Sequence, residues 1–219
     1  FMRSARSQWG VDEQLAKRTF PGDDRVPNPR WQWTHGIEID RSADEVWPWI
    51  AQIGADRGGF YSYQWLENIA GCNVRNAEVV HPEWADVQVG DGLHLHPKMP
   101  PLSIVEVVEK RAFVAYAGPP SELEKRPGKK WVETTWLFYL EPIGPDKCLF
   151  VSRYRIACSD DLATRLQFGP LMIEPIGFTM DRRMLLGVKE RAERQPRTNA
   201  TTPTTPATSA ATAATSTLQ

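Results

Sequence analysis

Residues 173–194 carry the feature that most restricts how this chain can fold. Ile176, Met180, Met184, Leu185, Val188 and Ala192 recur at helical spacing and make one apolar stripe. Arg182, Arg183, Lys189, Glu190, Arg191 and Glu193 supply most of the opposite face. A helix of this kind needs an apolar surface to lie on. The preceding hundred residues read as strands, at about 75–80, 92–96, 102–109, 112–117, 132–140 and 147–157. Short turns such as Gly90-Asp91 and Lys110-Arg111 join several of them, which implies antiparallel neighbours. The last helix must therefore bury its stripe against one face of an antiparallel sheet.

Upstream, "HGIEID" alternates like a first strand, bringing the expected count to seven. "RSADEVWPWIAQIG" follows. Ser42 and Glu45 form a capping box, Val46, Trp47, Ile50 and Ile53 keep helical spacing, and Pro48 should bend the helix. A second short helix covers about 62–70. Residues 1–34 read as an N-terminal arm with a short helix at 11–18, a "PGDD" turn, and tryptophans (Trp9, Trp31, Trp33) that dock it on the domain. Residues 35–195 read as the folded domain. Residues 196–219, rich in Thr, Ala and Pro, have too little apolar surface to offset ordering entropy and read as a disordered tail.

Charge narrows the function classes. With 26 basic and 27 acidic side chains the chain lacks the basic excess of a nucleic-acid binder. No run approaches the length of a membrane span, and no apolar segment follows "FMRSAR", so the reading is cytoplasmic. The chain begins with Phe1 rather than Met, which leaves a preceding leader or anchor open. Cys72, Cys148 and Cys158 are too few and too separated for a disulfide framework and read as reduced thiols.

Chemical motifs are sparse. There is no P-loop, no GxGxxG and no GxSxG, and nothing calls for a cofactor. His94 and His96 share a strand face and His81 lies upstream, but nothing joins them into a zinc set, so no metal is expected. Arg153 and Arg155 read as a solvated outer sheet face. Glu174 is placed to complement the start of the last helix. In "RGGFYSYQWLEN", Glu67 follows Tyr63 by four residues. If the chain is an enzyme, these two are the acid/base candidates, but no nucleophile–base set is evident, and a non-catalytic role is favoured.

Several of these words, in order, resemble the START-like superfamily, also called SRPBCC or helix-grip proteins, and in particular a bacterial branch of it. They are the "PGD" turn, "EVWPWIAQIG", "GFYSYQWLEN", "VGDGLHLHP" and "FTMDRRMLLGVKERAE", and the likeness spans roughly residues 9–194. Polyketide cyclases, plant pathogenesis-related proteins and lipid-transfer domains are among the superfamily's members. The resemblance implies an α+β helix-grip fold: a curved seven-stranded antiparallel sheet around the long C-terminal helix, with two short helices after strand 1. It also implies an apolar cavity between sheet and helix that takes a small hydrophobic molecule such as a lipid, polyketide or aromatic metabolite. On that basis the expected ligand-binding residues are Tyr61, Tyr63, Leu66, Tyr116, Trp136, Phe138, Phe150, Tyr154, Ile176, Met180 and Met184. A carrier or sensor is the first reading. A polyketide-cyclase-like or hydrolase-like enzyme is the second, and an interaction module with a filled core the third.

Overall fold

A computed structural model describes residues 6–126, 128–168 and 173–196. The elements are α1 (Glu13–Lys17), β1 (Trp31–Ile39), α2 (Ala43–Ala51), α3 (Gln64–Ile69), β2 (Gly92–Leu93), β3 (Leu102–Val108), β4 (Ala112–Ala117), β5 (Val132–Gly144), β6 (Lys147–Cys158), α4 (Leu162–Phe168) and α5 (Ile173–Arg194). The strands form one antiparallel sheet in the order β1-β6-β5-β4-β3-β2. Chain reversals join β3 to β6 as a meander, and β1 returns to pair with β6. The 22-residue α5 lies on one face of that sheet, giving the expected helix-grip arrangement. The expected tail, beyond Pro196, lies outside the described residues.

The sheet has six strands rather than seven, because residues 75–80 form none. Side chains satisfy much of that segment's backbone instead. Asn68 donates to the Val74 carbonyl (3.0 Å) and accepts from its N–H (2.6 Å). Fully buried Gln52 donates to the Val79 carbonyl (3.2 Å) and accepts from the His81 N–H (2.9 Å), while Arg191 donates to the Ala77 carbonyl (2.8 Å). With its polar groups met in this way, the segment needs no ladder. Strand β2 also stops short of the expected residue 96, since Pro97, Pro100 and Pro101 follow without N–H donors.

The capping box forms as read: Ser42 accepts from the Glu45 N–H and Glu45 accepts from the Ser42 N–H. Pro48 lies inside α2. The core lies between the sheet, α2 and the C-terminal half of α5, with Val46, Trp49, Ile50, Phe138, Phe150, Leu185 and Val188 at its centre.

The outer sheet face is not solvated. The N-terminal arm covers it, and Phe20 packs with Val114, Leu137 and Val151. Arg153 and Arg155, only 3% and 8% exposed, are clamped by the arm. Arg153 donates to both carboxylate oxygens of Asp23 (2.9 and 3.1 Å) and to the Ala16 carbonyl, and Arg155 donates to the Val26 carbonyl. Arginine is the basic residue best suited to such burial, because its fork can be fully satisfied by carbonyls and a carboxylate. Arg191, read as surface, is likewise buried, with its guanidinium over the Tyr61 ring.

Candidate functional site

Along α5 the apolar stripe behaves in two ways. From Met184 onward it is seated: Leu185 and Val188 are fully buried, and Gly187 allows the helix to touch the turn at Tyr61. A Cβ on Gly187 would sit 2.2 Å from the Tyr61 carbonyl oxygen. Toward its N-terminus the helix stands off the sheet, and Ile176 is 58% exposed. The gap is a cavity of about 370 Å³, within the range of small-molecule sites. Its floor is Trp33, Trp136 and Tyr154 from β1, β5 and β6. Its roof is Ile173, Ile176, Gly177, Met180, Asp181 and Met184, and Phe60, Ser62, Glu67 and Leu95 close the side.

The floor is ordered by aromatic stacking. Trp33 stacks on Tyr154 with centroids 4.7 Å apart, and Trp136 meets Tyr154 edge-on at 6.3 Å. Phe60 stacks on Trp136 from the side wall. A buried polar chain fixes the wall behind. The Trp136 indole N–H donates to Ser152 Oγ (3.0 Å), which donates to Asp181 Oδ1 (2.7 Å). Asp181 Oδ2 meets His35 Nδ1 at 2.5 Å, and His35 Nε2 donates to the Arg6 carbonyl at 2.6 Å. Although Ser, His and Asp are all present, Asp181 stands between Ser152 and His35, and both His35 nitrogens are engaged. The set positions the wall and holds no free base for a nucleophile.

Of the two carboxyl groups in the lining, Glu67 and Asp181, only Glu67 has an oxygen buried without a partner. It is only 7% exposed, and its Oε2 is buried without a hydrogen-bond partner. Burial pushes its pKa up to about 7. The nearby Cys72 thiol is also raised, first by burial and then by Glu67. By contrast, Ser62 donates to the Met180 carbonyl at 3.0 Å. Among the described residues no group of three or more His, Cys, Asp or Glu side chains is placed to hold a metal ion. No helix among them is long and apolar enough to cross a membrane.

Five of the ligand-binding residues read from the sequence meet at the cavity: Trp136, Tyr154, Ile176, Met180 and Met184. Glu67, the acid candidate, joins them. The other six lie elsewhere. Phe138 and Phe150 are further along the same strand faces, where α5 has already come down, and are wholly core. Tyr61 is buried on the far side of the seated helix, and its hydroxyl accepts from Gln52 at 2.6 Å. Tyr63 is the N-cap residue of α3 rather than a helical one, so the four-residue spacing to Glu67 does not align their side chains, and the bond that joins the two residues is backbone only, from the Glu67 N–H to the Tyr63 carbonyl at 3.0 Å. Leu66 is on the exposed side of α3. Tyr116 donates to Glu133 at 2.8 Å. It alternates with Phe113 and Ala115, which are core, so it shares the outward face with Val114 and is turned away from the cavity.

Sequence reasoning missed Trp33, Phe60, Ser62, Leu95, Ile173, Gly177 and Asp181. Trp33 had a signal: Trp31, Trp33, Ile37 and Ile39 share the inward period of β1, interrupted only by His35, but the prolines at 27 and 29 made Trp31 and Trp33 look like part of the arm. Asp181 had none, since a carboxylate in a helix is ordinarily surface.

The fold is a helix-grip arrangement, a long C-terminal helix closed over an antiparallel sheet, with an apolar-walled cavity between them. No protein-family model matches the chain, and no curated protein matches it. Among solved structures it is similar to a truncated norcoclaurine synthase from Thalictrum flavum (14% identity, 76% of this chain and 95% of that chain, TM-score 0.39). It is also similar to a polyketide-cyclase-like protein from Corynebacterium glutamicum (14%, 74% and 89%, TM-score 0.34). A third is the Zhui aromatase/cyclase from Streptomyces sp. R1128 (10%, 78% and 98%, TM-score 0.33). Likenesses this distant assign no activity or ligand to the chain.

Proposed function

We propose that the chain binds a small hydrophobic molecule (a lipid, polyketide or aromatic metabolite) between the sheet and α5, as a carrier or sensor. The observation that supports this reading is the space beneath the N-terminal half of α5, which touches Trp33 at Gly177 yet leaves about 370 Å³ of apolar-walled cavity bounded by Trp136 and Tyr154 inside an otherwise tightly packed domain. A guest burying roughly 300 Å² of its apolar surface there would gain about 7 kcal/mol before association costs. Trp33, Trp136 and Tyr154 would hold its body and the two methionines would adapt to its shape. Titration with the neutral dye N-phenyl-1-naphthylamine tests this. Saturable fluorescence enhancement at one site, lost in Met180→Trp, is the expected outcome. No uptake by the folded protein would remove the proposal.

A second reading has one observation in its favour. Burial raises the Glu67 pKa to about 7, which suits a general acid or base. A polyketide-cyclase-like proton transfer would use Glu67 alone, without Tyr63. Turnover of a polyketide-like substrate surviving Glu67→Gln would exclude that role.

A further inference from the structure

We infer that the cavity selects amphiphiles whose polar end is a protonated amine over those whose polar end is a carboxylate. This rests on the proposed ligand-binding role and narrows it to a chemical class. The lining contains two carboxyl groups, Glu67 and Asp181, and no lysine, arginine or histidine. Asp181 is already compensated by His35 and Ser152. Glu67 is not: it is 7% exposed, and its Oε2 lacks any partner.

An uncompensated carboxyl in an apolar enclosure is costly, and an incoming cation removes the cost. An apolar acid would instead bring a like charge beside it. The aromatic walls do not decide the matter, since Trp33 is stacked by His35 and Tyr154 and Trp136 by Phe60, so the selectivity rests on Glu67. One feature favours an acceptor: the Trp33 indole N–H is buried without a partner. It is a single neutral donor and would be met by a hydroxyl or ether oxygen on the guest. It does not offset repulsion from a buried carboxylate.

Three probes of one shape decide the matter by isothermal titration calorimetry at pH 7.5: tryptamine, indole-3-propionate and the neutral 3-methylindole. Tryptamine should bind at least tenfold more tightly than indole-3-propionate, a difference of about 1.4 kcal/mol. Glu67→Gln, checked for folding by its thermal melt, should reduce that ratio to below about threefold. Equal or tighter binding of the acid by the unmodified protein, or an undiminished ratio in folded Glu67→Gln, overturns the inference. If 3-methylindole binds but the amine has no advantage, the selectivity fails while the pocket reading stands. If none of the three binds, the inference fails, and the pocket reading then falls only if the dye is not taken up either.

Discussion

Oδ2 of Asp181 lies 2.5 Å from Nδ1 of His35, tying the helical roof of the cavity to the first strand of its floor. The Arg6 carbonyl can only accept, so Nε2 of His35 carries a hydrogen. One further proton must then sit between Nδ1 and Oδ2, and the pair is neutral overall whichever atom holds it. Full burial of His35 makes this neutrality necessary.

Removing one member strands the other. Asp181→Ala should cost about 3 kcal/mol or more in urea denaturation, because His35 and Ser152 lose their shared partner together. Asp181→Asn, which keeps shape and some hydrogen bonding, should cost clearly less. Equal losses would mean that the site is governed by packing and not by the polar chain.

The arm should come off the sheet when its counter-charge is removed. Asp23 faces Arg153 at 2.9 Å and Arg155 at 3.3 Å. Asp23→Ala leaves two buried guanidinium groups without a carboxylate and should destabilise by about 3–5 kcal/mol. Limited proteolysis should then cut within residues 6–30 well before the sheet is attacked. Unchanged resistance of that segment would contradict the clamp.

Close helix seating depends on one missing side chain. Gly187→Ala would place a Cβ 2.2 Å from a backbone oxygen and 2.7 Å from the Cβ of Tyr61, and neither can rotate away. The helix must shift, at about 3 kcal/mol. A melting temperature lowered by several degrees is expected, and an unaltered one would exclude the contact.

Stability should fall with rising pH across the range set by Glu67. Its pKa is about 7 in the folded chain against 4.5 for the free side chain, because burial disfavours the charge. The folded state therefore holds more protons than the unfolded state between those values. The contribution from Glu67 is most favourable below 4.5 and is lost as pH rises through 7. The loss is on the order of 2 kcal/mol. Cys72, titrating above that range, and Asp181, paired with His35, are the other acidic groups nearby. Glu67→Gln should flatten this part of the pH profile, as read by urea midpoints from pH 4 to 8. A parallel profile in the variant would show that Glu67 is not the group responsible.

Much of the frame was readable in advance. The stripe on α5, the Ser42–Glu45 cap and the alternation in β5 and β6 are local patterns with local causes, and each appeared where its period placed it. Alternation failed where both sheet faces are covered. The outer face of β4 is as apolar as the inner, so Val114 and Tyr116 gave no sign of their direction. Polar side chains that replace a ladder, as Gln52 and Asn68 do beside residues 74–81, leave no periodic trace at all.

The chain's own pattern of apolar and polar residues determined that a long helix would close on an antiparallel sheet, because burying that stripe required it. Where along its length the helix would seat and where it would stand away was decided by contacts between distant residues: Gly187 against Tyr61, and Asp181 with His35. The cavity, and the lone acid beside it, exist only in that difference. Spacing along the sequence records which residues share a face, but not how far apart two faces come to rest.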